Sequence, residues 1–182
     1  MTGRRGILVA LVTVAAVACL GAPAIGAPPT SPESQIKAGI VYNLALAVTW
    51  PEGSLAATSF VIGVVGHDDT DPLLTHLAGK DVRRHALSLL DPVPESALAT
   101  TQILYISRSE QGRMAGLLAA VAGRPLLTVS DIDGFCEAGG MVQLRRDRNR
   151  IQLRVNRAAA ERVGLKLSSQ LLKVAEIVEG GD

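Results

Sequence analysis

Apolar and polar residues alternate along this chain with two periods, one typical of helices and the other of strands. A helix is predicted to begin at Ser31-Pro32, where a capping side chain precedes a proline in the first helical position. Trp50-Pro51 ends it, because the residue before a proline is disfavoured in the helical conformation. Four-residue spacing predicts one apolar face on this helix. Its residues are Ile36, Ile40, Leu44 and Val48, with Ala47 beside them.

Short apolar runs typical of strands then alternate with helical segments. The predicted strands are 59–65, 86–90, 102–106, 125–129, 141–144 and 151–155. The predicted helices are 71–78, a segment from Ser107 or Ser109 to 122, 157–163 and 168–178. The polar segment 145–150 is predicted to connect the last two strands as a hairpin. This order predicts an α/β or α+β fold, a single compact domain whose mixed β-sheet is flanked by helices and ends in a late β-hairpin.

The N-terminus has the layout of a secretory signal peptide. Arg4 and Arg5 form a positive start, a 14-residue apolar run covers 7–20, and small residues predominate over 21–27. The apolar run is shorter than the roughly 20 residues that a membrane-spanning helix needs. We therefore expect export and removal of this segment.

Cleavage is expected after Ala24 or after Gly26, which gives a signal peptide over 1–26 and a mature domain over 27–182. Cys19 follows small residues at the end of the apolar run, a pattern that can mark a lipoprotein. Because alanine rather than leucine lies three places before it, we expect Cys19 to be removed with the signal peptide.

Cysteine content bounds the redox chemistry of the mature domain. Cys136 is the one cysteine left after cleavage, so it has no partner for an intramolecular disulfide. The thiol is either buried, reactive or paired between chains, and its apolar neighbour Phe135 favours burial.

Composition and motifs argue against most kinds of chemistry. Apolar residues make up 48% of the 182 residues and charged residues 19%, which predicts a packed core. The 18 basic and 17 acidic residues give a net charge of +1, and aromatic residues are 3%, so nucleic-acid binding is not indicated. Nucleophile-elbow, zinc-protease and phosphate-loop motifs are absent from the sequence. We expect no enzymatic activity, no cofactor and no metal.

One polar segment and one charged segment stay open to two interpretations. The segment 67–71 is either a cation or polar-ligand site or a solvated loop that caps a helix. The segment 141–162 holds seven arginines against Asp147 and Glu161. Those arginines form either a solvated face or an edge that binds an anion or an acidic partner. The candidate partner-binding residues are Arg145, Arg146, Arg148, Arg150 and Arg154.

Four ordered segments together resemble the YfiR family of periplasmic proteins. The first runs from Ile36-Lys37-Ala38 through Tyr42-Asn43 to Trp50-Pro51, and the second is 102–107. The third holds 128–131, Gly134-Phe135 and 139–142, and the fourth holds Val155-Asn156 and 164–172. The motif residues with expected structural roles are Asn43, Trp50, Ser130, Asp131, Gly134, Phe135, Gly139, Gly140 and Asn156.

Elementary chemistry suggests roles for several of these residues. The three glycines permit a sharp turn into the hairpin, Asp131 can hydrogen-bond the backbone of that turn, and Phe135 is expected to fill the core beneath it. Ser168 or Ser169 is expected to cap the last helix.

The resemblance implies a regulator rather than an enzyme. YfiR-like proteins are dimeric periplasmic repressors of an inner-membrane diguanylate cyclase, YfiN, and an outer-membrane lipoprotein, YfiB, sequesters them. The resemblance therefore implies a homodimer that lowers cyclic di-GMP signalling and so affects biofilm formation. A periplasmic ligand-binding or envelope-associated module that serves another membrane sensor, such as a histidine kinase, is the alternative. Redox control through internal disulfides is not expected, because the mature domain keeps a single cysteine.

Overall fold

An eight-stranded mixed sheet with helices on both faces forms the body of the protein in the computed structural model, which describes residues 31–54, 59–148 and 150–179. The strands are β1 Val48–Thr49, β2 Ser59–Val65, β3 Asp81–Val82, β4 His85–Leu90, β5 Ile103–Ile106, β6 Leu127–Ser130, β7 Val142–Asp147, β8 Arg150–Val155, β9 Lys166–Leu167 and β10 Glu176–Ile177. The helices are α1 Pro32–Ala47, α2 Asp71–Thr75, α3 Met114–Ala120, α4 Arg157–Arg162 and α5 Ser169–Val174, with 3-10 helices at Glu95–Thr100 and Arg108–Arg113. The predicted signal peptide and Cys19 lie outside the described residues.

The strand order confirms the predicted fold class. The sheet runs β10-β8-β7-β6-β5-β2-β4-β3, and β1 and β9 form a separate antiparallel pair. The five adjacent strands β4, β2, β5, β6 and β7 are parallel to one another. At either side of them, β3 runs antiparallel to β4, and β8 runs antiparallel to β7. The β7–β8 pair is the predicted late hairpin.

The central strands separate two apolar cores. All four residues of β5 are buried, which fits a parallel strand covered on both faces. Because side chains alternate along a strand, Ile103 and Tyr105 join the larger core, which includes α1. Leu104 and Ile106 join a smaller core against which α3 packs. Hence α1 and α3 cover opposite faces of the sheet.

The core face of α1 differs from the predicted stripe. The buried residues of this helix are Ser34, Lys37, Ala38, Val41, Leu44 and Ala45. Of the predicted stripe within the helix, only Leu44 belongs to that face, while Ile36 is 49% exposed and Ile40 is half-buried. The prediction was wrong because apolar spacing alone cannot show that buried Lys37, held by an ion pair, belongs to the core face.

Further predictions need correction. The first helix ends at Ala47 rather than at Trp50, because Val48–Thr49 pairs with β9 as strand β1. The segment 107–122 divides into the 3-10 helix Arg108–Arg113 and α3. The predicted helix 168–178 ends at Val174, and Glu176–Ile177 instead forms β10 beside β8, where it extends the sheet and gives backbone groups at the edge of β8 a partner. The predicted hairpin connection 145–150 is itself strand for most of its length, because β7 and β8 pair as far as Asp147 and Arg150.

Candidate partner-binding surface

The β7–β8 hairpin carries arginines to the rim of a surface formed with α1 and α5. Arg145, Arg146, Arg148 and Arg150 are all exposed, but Arg145 lines none of the hollows of this surface. Arg148, directly after β7, has a φ of +52°, in the left-handed region that residues other than glycine seldom adopt. Arg146 Nη1 lies 3.0 Å from Glu33 Oε2 and so ties the hairpin to the start of α1.

Beside these arginines, apolar side chains line three adjoining hollows of about 340, 460 and 480 Å³. Arg150 and Ile151 line both the first and the second hollow, and Ile40, Leu153 and Val174 line both the second and the third. We call this continuous surface the arginine-rimmed face. It consists of Ile36, Ile40, Ile151, Leu153, Val174, Arg146, Arg148 and Arg150.

The large exposed apolar side chains of the described residues gather on or beside this face. Ile36 is 49% exposed and Val174 is 75% exposed, and both line its hollows. Leu46 lines the third hollow as well, and Ile177 lies on β10 next to β8. Apolar side chains concentrated beside charged ones mark interaction surfaces rather than ordinary solvated ones.

A buried ion-pair cluster fixes α1 in the orientation that exposes Ile36. Lys37 Nζ lies 2.7 Å from Asp131 Oδ2, directly after β6, and 2.9 Å from Glu33 Oε1. Burial alone would lower the pKa of Lys37, but the hydrogen bonds to the two carboxylates raise it above its ordinary value. Lys37 is therefore charged, and its side chain anchors the helix face that meets the sheet.

Arg154 differs from the other candidate arginines. Its side chain is only 12% exposed, with Nη1 2.7 Å from Glu137 Oε1 and Nε 3.2 Å from Glu176 Oε1. Nη1 also donates to Gln143 Oε1 at 3.0 Å. This network joins β8 to its neighbours, so the structure gives Arg154 a structural role and does not bring it to the arginine-rimmed face.

The comparison with protein families decides what kind of protein carries this surface. A family model described as YfiR/HmsC-like matches residues 34–176, more than three quarters of the chain. The chain belongs to the YfiR/HmsC-like family. Membership indicates a periplasmic, non-catalytic regulator of cyclic di-GMP signalling that acts on a membrane signalling partner. The curated proteins include no significant match to the chain.

Two of the motif residues of this YfiR/HmsC-like chain lie in α1 and the segment that follows it. Asn43 is exposed and lines the third hollow, so it lies next to the arginine-rimmed face. Trp50 is buried, its ring packs edge-on against Phe60 at 5.1 Å, and its Nε1 donates to the Gln102 carbonyl. Trp50 thus anchors the end of α1 to the core.

Ser130 and Asp131 follow one another at the carboxyl end of β6. Ser130 Oγ donates to the Ile106 carbonyl at 2.6 Å and accepts from the Ile132 backbone N–H at 3.1 Å. It is Ser130, therefore, that holds the backbone of the turn, the role predicted for Asp131. The Asp131 carboxylate faces Lys37 instead, with Oδ2 2.7 Å from Lys37 Nζ.

The glycine turn into the hairpin depends on two different properties of glycine. Gly134 and Gly139 have φ values of +76° and +98°, a region that glycine adopts readily. Gly140 has an ordinary φ, and a Cβ there would collide with the ring of Phe135. Phe135 is fully buried in the smaller core, so Gly140 provides the space for its ring.

Asn156 and Cys136 meet behind the hairpin. Asn156 Oδ1 accepts from the Ala159 backbone N–H at 3.0 Å and caps α4, while Nδ2 donates to the Cys136 carbonyl at 3.1 Å. The Cys136 thiol is fully buried, 3.8 Å from the Met141 carbonyl oxygen, and burial raises its pKa to about 11. A protonated, inaccessible thiol is unreactive, which fits the burial expected from the sequence.

The segment 67–71 has its carboxylates engaged by the protein itself. Asp71 Oδ1 accepts from Ser107 Oγ at 3.0 Å and Oδ2 accepts from the Asp68 backbone N–H at 2.7 Å. Asp68 accepts from the Tyr105 hydroxyl and from the Thr70 backbone N–H. Among the described residues no group of three or more potential ligand side chains could hold a metal ion. The solvated loop with a capping aspartate is not what forms either, because Asp71 is buried and no side chain in the described part of the chain caps the start of α2.

The sequence singles out the hairpin arginines as candidates but does not indicate the apolar residues beside them. Its periodicity predicts Ile36 in the core, and it predicts Ile151 in a strand and Val174 in a helix without indicating that they share one surface. Lys37 is the residue that the sequence pattern could not interpret. Because this lysine lies on the buried face of α1, Ile36 next to it lies on the exposed face.

No helix of the described part of the chain has both the length and the apolar character to cross a membrane.

Proposed function

We propose that this protein represses an inner-membrane diguanylate cyclase of the YfiN kind by binding its periplasmic part through the arginine-rimmed face. The observation that carries the proposal is the gathering of exposed apolar side chains, Ile36 and Val174, beside exposed arginines on one surface. Protein interfaces combine an apolar centre with a polar rim, and arginine is enriched in them. Family membership supports a membrane signalling enzyme as the partner.

Repression then follows from differential affinity. A bound repressor lowers cyclase activity only as far as it binds the inactive state of the cyclase more tightly than the active state. The charge of the rim favours an acidic surface on the partner, and such charges speed the encounter of the two proteins. A homodimer would engage a dimeric cyclase through matched two-fold axes. An outer-membrane lipoprotein of the YfiB kind would relieve repression by sequestering the protein.

Deleting the gene tests the identity of the partner. We expect cellular cyclic di-GMP to rise, and to return to its starting level when the gene is restored. The nucleotide is measured by mass spectrometry in cell extracts. An unchanged level would refute regulation of a cyclase and would favour another membrane sensor as the partner.

Charge reversal tests the surface. We expect the Arg148→Glu, Arg150→Glu double variant to capture the partner from envelope extracts about tenfold more weakly, because both rim charges are reversed. Both arginines are exposed and form no ion pair with any residue that the structure describes, so folding is unaffected. The Arg162→Glu, Lys166→Glu variant reverses two exposed charges away from the face and serves as the matched control. Equal capture by both double variants would return the arginines to the role of a solvated surface.

A further inference from the structure

A hollow of about 630 Å³ lies on the side of the sheet opposite α1, between α3 and the 3-10 helix Glu95–Thr100. Its apolar lining comes from several elements and loops and belongs to the smaller core. The residues of this lining are Val65, Val93, Leu98, Leu104, Leu117 and Val121. The volume lies within the range of 300 to 1,000 Å³ that is typical of small-molecule sites.

The hollow is open because small residues face it. Gly112, Gly116 and Ala120 line it at four-residue intervals, which places them on one side of the 3-10 helix and α3. A Cβ added at Gly112 or Gly116 would meet no atom within 4 Å. Neither glycine is needed for close packing, and glycine in a helix costs about 1 kcal/mol relative to alanine. Their effect in the structure is to leave space that side chains would occupy.

Charged side chains line the mouth of the hollow and would bind the polar end of a ligand. Arg113 and Arg124 lie there, and Arg113 is partly neutralised by Glu110 at 3.1 Å. Arg124 is exposed and forms no ion pair with any of the residues that the structure describes. Glu95 lies at the same mouth and would repel a second negative charge on the occupant.

We infer that this hollow binds a monocarboxylic acid with an extended apolar chain, with its carboxylate at Arg124 and its chain along the apolar lining. Guanidinium groups pair well with carboxylates, and the apolar lining has no polar partner to offer the remainder of the ligand. The site lies on the other side of the sheet from the arginine-rimmed face, so it adds a ligand-binding function to the proposed one. Binding at either site can fail without affecting the test of the other.

Calorimetric titration of the exported protein with octanoate, decanoate and dodecanoate, each below its micelle concentration, tests the inference. We expect saturable binding of one molecule per chain that tightens about threefold to fourfold per methylene. Decanol, which keeps the chain but lacks the charge, is expected to bind about tenfold more weakly than decanoate.

Three variants locate the binding. Gly116→Leu fills the hollow and should weaken decanoate binding more than tenfold, and Arg124→Gln should weaken it about tenfold. Gly39→Leu is the matched control, because Gly39 is also helical and open to solvent but lies on α1. Circular dichroism and thermal unfolding establish that each variant is folded. Absent or non-saturable binding, or equal binding by Gly116→Leu and Gly39→Leu, would overturn the inference.

Discussion

Lys37 shows at the scale of one residue how a buried charge orients a helix. Its ion pair with Asp131 joins positions 94 residues apart, and the two side chains are only 8% and 5% exposed. Asp131 Oδ1 is buried and accepts no hydrogen bond from the described residues, and Arg108 Nε lies 3.5 Å from Oδ2. The carboxylate therefore depends on Lys37 for most of its compensation.

Replacing this lysine should destabilise the protein strongly. We expect Lys37→Met to lower the free energy of unfolding by about 3 kcal/mol, because it leaves the Asp131 carboxylate buried with one longer contact. Urea unfolding measures the change. The Lys37→Met, Asp131→Leu double variant should recover much of the loss, since no charge is then buried. A double variant less stable than the single one would contradict this account.

Asp71 is a buried carboxyl group whose surroundings favour its protonated form. Burial raises its pKa from 3.8 to about 6; a hydrogen bond from the Asp68 backbone opposes that rise, and the Asp68 and Asp91 carboxylates add to it. Because folding raises the pKa, the contribution of this group to stability is fully present below about pH 4. It is lost as the pH rises through about 6.

An asparagine in its place should remove that pH dependence. Between pH 4 and pH 7 the wild-type protein should lose about 2 kcal/mol relative to Asp71→Asn, which is most of the effect of a shift of about two pKa units. Urea unfolding of both proteins at the two pH values gives the difference, in which the other titrating groups cancel. Parallel pH profiles would show that the Asp71 carboxyl has the same pKa in the folded and unfolded protein.

At the scale of elements, the N-terminal caps of α4 and α5 make different numbers of hydrogen bonds. Ser168 Oγ accepts from the Leu171 backbone N–H and caps α5 from a half-buried position. Asn156 caps α4, is fully buried, and also holds the Cys136 carbonyl in the glycine turn. Asn156 therefore joins two elements, whereas Ser168 serves one.

Replacing each cap with alanine should lower the free energy of unfolding by different amounts. We expect Ser168→Ala to cost about 1 kcal/mol and Asn156→Ala about 2 to 3 kcal/mol, because the second leaves a buried carbonyl and a buried helix N–H unpaired. Thermal or urea unfolding ranks the two. Equal losses would mean that the bond to Cys136 adds nothing to the cap.

At the scale of the whole molecule, the arginine-rimmed face lies on one side of the sheet, and the smaller core lies on the other side. Cys136 is fully buried and protonated at neutral pH, because burial raises its pKa to about 11. Since the predicted mature domain has no other cysteine, we expect reducing and non-reducing gels to show the same monomer band. A dimer band that disappears with reductant would make Cys136 a bridge between subunits.

The sequence determined the local features whose cause lies within a few residues. Ser31 and Pro32 start α1, the apolar run 59–65 becomes β2, and the glycines around Phe135 produce the turn before the hairpin. Capping, proline geometry and glycine's freedom act between neighbours, so they can be recognised without the fold. The ordered motifs likewise sufficed to indicate the YfiR/HmsC-like family.

Only the tertiary structure decided which side of α1 is buried and which of the arginines reach the surface. The Lys37–Asp131 pair spans 94 residues, and the carboxylates that engage Arg154 lie on other elements. Such contacts depend on the position of elements that no local pattern encodes. The arginine-rimmed face exists because this packing brings Ile36 and Val174 to the same surface as the hairpin arginines.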